Sequence, residues 1–118
     1  MSEPFVSAGY CHCTRCQRRT GTAAAASART APNTLKVVSG AGLIRSFVPV
    51  DGWAKDFCGN CGGALWSRDP NDDTVFGVRL GTIDGDPGIR PGWRTFVDYA
   101  AVWEPIPDDG LPRYPDGF

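Results

Sequence analysis

A small, mostly β single domain is the fold class this sequence predicts. Three observations lead there. No linker-like stretch divides the 118 residues. Runs rich in β-branched and aromatic residues alternate with glycine and proline turns, and no stretch has the length and periodicity of an amphipathic helix. A chain this short buries only a modest share of its surface, so an added cross-link such as a bound metal would strengthen it.

The elements follow in order. After the first cysteines, "TGTAAAASARTAP" carries helix-favouring alanines, but the run is short and lacks charged pairs at i,i+4, so a strand is expected over Thr22–Ala28. Thr30 or Asn33 is then a candidate cap for a short helical turn. "TLKVV" and "LIRSFVPV" read as two strands joined through the glycines of "SGAG". "WAKDFC" and "GGALWSR" read as two more, with Cys58 and Cys61 at the tight turn between them. "TVFGVRLGTID" is a further strand with glycine irregularities, and "DGDPGIRPG" is a surface loop. "WRTFVDYAAVWEPI" suits one last strand, bent near Tyr99 to Ala101, before a turn-rich tail.

Net charge is −1, with +5 on residues 1–68 and −6 on residues 69–118. That balance gives no general drive toward nucleic acid or an anionic membrane, although the basic half could steer a small anion. No basic segment followed by an apolar run opens the chain, and nothing approaches the roughly 18 apolar residues needed to span a bilayer. The expectation is a cytoplasmic protein. The four tryptophans, Trp53, Trp66, Trp93 and Trp103, could line a pocket but are read mainly as core or partly exposed packing residues.

The chemistry lies in the five cysteines, at 11, 13, 16, 58 and 61. An odd number cannot all pair internally, and a reducing compartment disfavours disulfides, so metal ligation is the better reading. "CTRC" and "CGNC" each suit two thiolates on one ion, and bringing the pairs together costs roughly 3–4 kcal/mol of loop closure. Structural zinc supplies on the order of 10–16 kcal/mol in small peptides, so one closed site of Cys13, Cys16, Cys58 and Cys61 is physically reasonable. Cys11 opens a different arrangement. Cys11, Cys13 and Cys16 would give zinc three thiolates and leave a fourth position free, as a catalytic site requires. Arg15, Arg18 and Arg19 add positive potential suited to a carboxylate-bearing thiol, or else form a solubilising surface cluster. His12, the sole histidine, is either a surface side chain or a donor to a ligand, with a base role less favoured.

"CHCTRCQRRTG", then "FCGNCGGAL", "GTID", Pro91 and "AAVWEPIPDDGLPRY" together resemble the family of glutathione-dependent formaldehyde-activating enzymes, over about residues 9–115. The resemblance implies an Mss4-like fold of small antiparallel sheets. It implies a catalytic zinc on Cys11, Cys13 and Cys16, and a structural zinc on Cys58 and Cys61 completed by a CxC pair near the N-terminus. It also suggests that Asp84 orients a loop near the site. "MSEPFVSAGY" has no cysteine, so either the second site is lost, the cysteines regroup around one zinc, or the start is truncated. Arg94 stands where many relatives carry histidine.

The leading expectation is therefore a zinc-dependent carbon–sulfur lyase acting on a small thiol–aldehyde adduct such as S-hydroxymethylglutathione. Cys11, Cys13 and Cys16 would hold the catalytic metal, while Arg18 and Arg19 anchor a glutathione carboxylate. The alternative is a non-catalytic zinc-stabilised binding module using the closed four-thiolate site. A nucleic-acid-binding ribbon ranks third, because a general positive balance and stacking aromatics are lacking.

Overall fold

A computed structural model describes residues 4–117. The mostly β expectation holds, and the strands join in one continuous mixed sheet accompanied by one short helix. The strands are β1 (Ser7–Cys11), β2 (Ala25–Arg29), β3 (Ile44–Phe47), β4 (Ala54–Cys58), β5 (Ala64–Asp69), β6 (Asp72–Arg79), β7 (Arg94–Thr95) and β8 (Arg113–Tyr114); helix α1 is Thr14–Thr20. Spatial order is β3-β4-β5-β6-β2-β1-β7-β8. Neighbours pair antiparallel from β3 to β1, whereas β7 runs parallel to both β1 and β8.

Register assigns residues to two faces, because side chains alternate along a strand and directly paired residues share a side. Pairing of Cys11 with Ala25, Gly9 with Ser27, Ser27 with Arg79, Ser67 with Gly77 and Lys55 with Ser67 defines the site face. The opposite face carries Ala8, Ala28, Val78, Trp66, Asp56 and Ile44 or Ser46 across the same strands.

The alanine-rich segment forms a strand, starting three residues later than expected, and its small side chains have a purpose. Helix α1 packs on β2, and Ala25 and Ala28 are buried at 3% and 0% exposure. Among the described residues the buried apolar set consists of alanines and two valines: Ala8, Ala23, Ala25, Ala28, Ala54, Val75 and Val78. So thin a core leaves much of the ordering to polar networks. On the far face, buried Asp56 accepts from Ser46 Oγ at 2.6 Å, Trp66 Nε1 at 2.8 Å and Arg68 Nε at 2.6 Å.

Several sequence expectations are corrected. Helix α1 was not anticipated, because it is one of seven residues with no apolar stripe. Its signals are at its ends: Cys13 Sγ accepts from the Cys16 N–H at 3.3 Å as an N-cap, and Gly21 closes it in the left-handed region at φ 66°. "TLKVV" is irregular rather than a strand. Gly40, at φ 75°, leads into a 3-10 turn at Ala41–Leu43 instead of a hairpin. Thr30 caps no helix; its buried hydroxyl accepts the Phe76 N–H at 3.0 Å, tying the end of β2 to β6. The last long strand reduces to Arg94–Thr95, since Phe96 turns the chain at φ 55° into a 3-10 turn at Val97–Tyr99. The tail contributes β8, an addition that only its parallel pairing with β7 reveals.

Candidate functional site

Strand β1 ends on Cys11, and two residues later Cys13 caps α1, whose first turn carries Cys16. These three sulfurs lie within 4.8 Å of one another. Among the described residues they are the only group of three or more metal-ligand side chains so arranged. Their protonation is strongly unequal. S–H donors from Cys11 and Cys16, together with the amides of Cys16 and Arg15, hold the Cys13 thiol far below its ordinary range. Hydrogen bonding to Cys13 and Cys16, then burial, pushes Cys11 far up. Cys16 is lowered by Cys11, but Cys13 and burial outweigh that and leave it raised. One thiolate held by two thiols is a site that takes up a soft cation while releasing protons.

Cys58 and Cys61 do not join this cluster. Cys58 pairs with Ile44, on the face of β4 opposite to Lys55, and it is Lys55 that lies within electrostatic reach of the cluster. The pair is nonetheless ordered as a knuckle: Cys58 N–H donates to Gly63 O at 2.9 Å and Gly62 N–H to Cys58 O at 2.7 Å. The amides of Cys61 and Asn60 lower the Cys58 thiol. The closed site of Cys13, Cys16, Cys58 and Cys61 is thus not formed, since alternation turns Cys58 away from the cluster.

A cavity of about 520 Å³ opens along α1, lined by Arg15, Arg18, Arg19, Phe47, Trp53 and Lys55 among others. Arg19 stacks over Phe57 with 4.7 Å to the ring centroid, and Arg15 pairs with Asp51 at 3.0 Å. A separate cavity of about 610 Å³, lined by Leu35, Leu43, Ile44, Trp66 and Cys58, lies away from the three-cysteine cluster. Asp84 is exposed in the loop after β6. Trp103 is likewise exposed, at 66%, which departs from the packing expectation.

His12 is buried, contrary to a surface reading. Arg94 Nη1 lies 3.2 Å from its Nε2. A guanidinium has no acceptor, so Nε2 accepts and the proton sits on Nδ1, which is buried without a partner. Burial, then the charges of Arg94 and Arg113, lowers the imidazole below its usual range and keeps it neutral. His12 stands outside the sulfur cluster.

Sequence reasoning missed two cations on the site face. Arg79 donates to Ser27 Oγ at 2.7 Å and Ser67 Oγ at 3.0 Å, and Lys55 Nζ reaches Ser67 Oγ at 3.4 Å. Burial lowers both, while the charges of Cys16, Cys11 and Cys13 act on both in the opposite direction. No motif marks them; only sheet register brings them beneath the cysteines.

The family model described as glutathione-dependent formaldehyde-activating enzyme matches residues 1–99. The chain belongs to that family. The family match includes Cys11, Cys13, Cys16, Cys58 and Cys61, and stops short of the tail that forms β8. Among solved structures, the chain is similar to a Rhodobacter sphaeroides protein determined as a structural-genomics target. The two are 26% identical with a TM-score of 0.56, over 71% of this chain and 74% of that one. No curated protein matches. Among the described residues, no helix is long and apolar enough to cross a membrane.

Proposed function

We propose that this family member is a zinc-dependent carbon–sulfur lyase that joins and releases a small thiol and an aldehyde, with glutathione and formaldehyde as the pair suggested by the family description. The observation that carries this reading is the three-sulfur cluster, within 4.8 Å, at the start of the helix whose Arg15, Arg18 and Arg19 line a cavity. The donor set fits zinc. Zn–S bonds of about 2.3 Å place tetrahedral sulfurs roughly 3.8 Å apart, so small side-chain rotations suffice. Zinc held by Cys11, Cys13 and Cys16 would favour the thiolate form of a substrate thiol and leave a position for it.

The chain's own residues do the rest. Arg18 and Arg19, on the cavity wall, dock carboxylates of the thiol. Trp53 and Phe47 give that cavity an apolar side against which the thiol's carbon chain packs. Cys58 and Cys61 serve apart from the chemistry, as two ligands of a separate structural metal site needing further ligands. A reducing, cytoplasmic setting suits so many free thiols.

The open three-sulfur cluster and the arginine-lined cavity along α1 favour this reading over a non-catalytic binding module. Native mass spectrometry of reduced protein with and without glutathione, for wild type and Cys11→Ser, tests it. Loss of cluster zinc or of glutathione binding in the variant, together with loss of turnover, is expected. A fully active Cys11→Ser protein would overturn the proposal.

A further inference from the structure

The site face holds a donor-rich cradle that the cysteine chemistry leaves unused. Lys55 on β4, Ser67 on β5 and Arg79 on β6 project from one side of three adjacent strands, the side that also carries Cys11. Ser67 Oγ is buried between the two cations, accepting from Arg79 Nη2 at 3.0 Å and Lys55 Nζ at 3.4 Å. With its lone pairs so engaged, the Ser67 hydroxyl proton is free to donate. Arg79 Nε is buried with no hydrogen-bond partner. Among the described residues no carboxylate lies within ion-pair distance of either Lys55 or Arg79. Arg79 Nε and the Ser67 hydroxyl proton are therefore left without an acceptor beside the Lys55 ammonium, within electrostatic reach of the cysteines, and of the three residues Lys55 also lines the arginine-bearing cavity. A half-buried pair of cations in this state is suited to an oxygen anion.

We propose that Lys55, Ser67 and Arg79 form the oxygen-binding half of the site, holding the aldehyde oxygen and the alkoxide it becomes when a thiolate adds to the carbonyl carbon. This inference rests on the thiol–aldehyde reading above. In the addition, the thiolate sulfur forms the bond to carbon and the carbonyl π pair moves onto oxygen. The Lys55 ammonium gives that oxygen a proton, and the resulting amine regains one from water in the cavity. In the lyase direction the amine removes the hydroxyl proton, the carbonyl re-forms and the thiolate leaves. Arg79, fixed to Ser27 and Ser67, stays charged throughout and orients the oxygen.

Calorimetric titration of the metal-loaded protein with glutathione, S-methylglutathione and S-carboxymethylglutathione tests the inference. The last carries an anionic oxygen close to sulfur, as the alkoxide does. Wild type is expected to bind it about tenfold more tightly than the S-methyl compound, a difference of about 1.4 kcal/mol. Lys55→Met and Arg79→Met should lose that preference, read as the ratio of the two affinities within each variant. Arg79→Lys, which retains charge, should keep part of it and guards against a folding defect in Arg79→Met. If wild type binds glutathione but does not favour the carboxymethyl compound, or if both Met variants keep the preference, the oxygen-binding proposal is wrong and the thiol reading stands. If glutathione itself does not bind, the thiol reading falls and this inference with it.

Discussion

Arg94 lies over the Tyr10 ring at 4.2 Å and donates to His12 Nε2 at 3.2 Å, while its other nitrogens grip Asp109 Oδ2 at 3.0 and 2.8 Å. One side chain thereby ties the residue between two cluster cysteines to the tail. The Arg94 side chain is 10% exposed, whereas Asp109 is exposed and also accepts the Leu111 N–H, so removing Arg94 strands the buried imidazole rather than the carboxylate. Arg94→Met should cost about 2 kcal/mol in urea unfolding by leaving His12 Nε2 buried without a donor, more than Asp109→Asn, which keeps a side-chain oxygen able to accept from Arg94. Equal losses would show that the link to His12 adds nothing.

Gly9 lies under Trp93 in a contact that leaves no room for a methyl group: a Cβ there would run into the indole ring. Gly9 is also two residues before Cys11 on the same face. Gly9→Ala should destabilise by about 3 kcal/mol and shift the tryptophan emission, because the ring must swing off β1. Unchanged stability and emission would show that the ring relocates without cost.

Asp56 is buried at 4% exposure, which would raise its carboxyl, yet hydrogen bonds from Arg68, Ser46 and Trp66 bring it below 3.8. A carboxyl depressed on folding contributes stability that is fully present above its unfolded value and lost as pH falls through the folded one. Asp56→Asn should therefore cost about 2 kcal/mol at neutral pH. The gap to wild type should stay constant above about pH 5 and narrow below 3.8. Unfolding curves of both proteins across pH 3 to 7 check this, and a pH-independent gap would contradict it.

Cys13 is both a cluster sulfur and the N-cap of α1, and the two roles can be separated. Serine is a strong cap but a poor ligand for a soft metal. Cys13→Ser should lose the cluster metal by elemental analysis and, in the metal-free state, match or exceed wild type in stability. Cys13→Ala should lose the metal and about 1 kcal/mol of metal-free stability as well. Replacing Cys58 and Cys61 by serine should leave the cluster's metal in place. Its loss there would mean that the two cysteine groups communicate.

The β-rich class, the strands flanking Cys58 and Cys61, the CxCxxC cluster and the family were all legible in the sequence. The reason is that ligand spacing and β-prone runs between turn residues are local properties. The short helix escaped notice because its stability comes from a sulfur cap, a closing glycine and packing on β2 rather than from periodicity. Strands of two residues, β7 and β8, exist only through their parallel partners.

That Cys58 and Cys61 stay apart from the cluster was decided by tertiary structure. Cys11, Cys13 and Cys16 close together because a strand end and a helix start adjoin, whereas Cys58 lands on the other face of the sheet. The same register carried Lys55, Ser67 and Arg79, far apart in the chain, to one spot beside the sulfurs. Ligand spacing is written locally in a sequence. The face on which a side chain falls depends on pairing between distant strands, where a shift of one residue would reverse it.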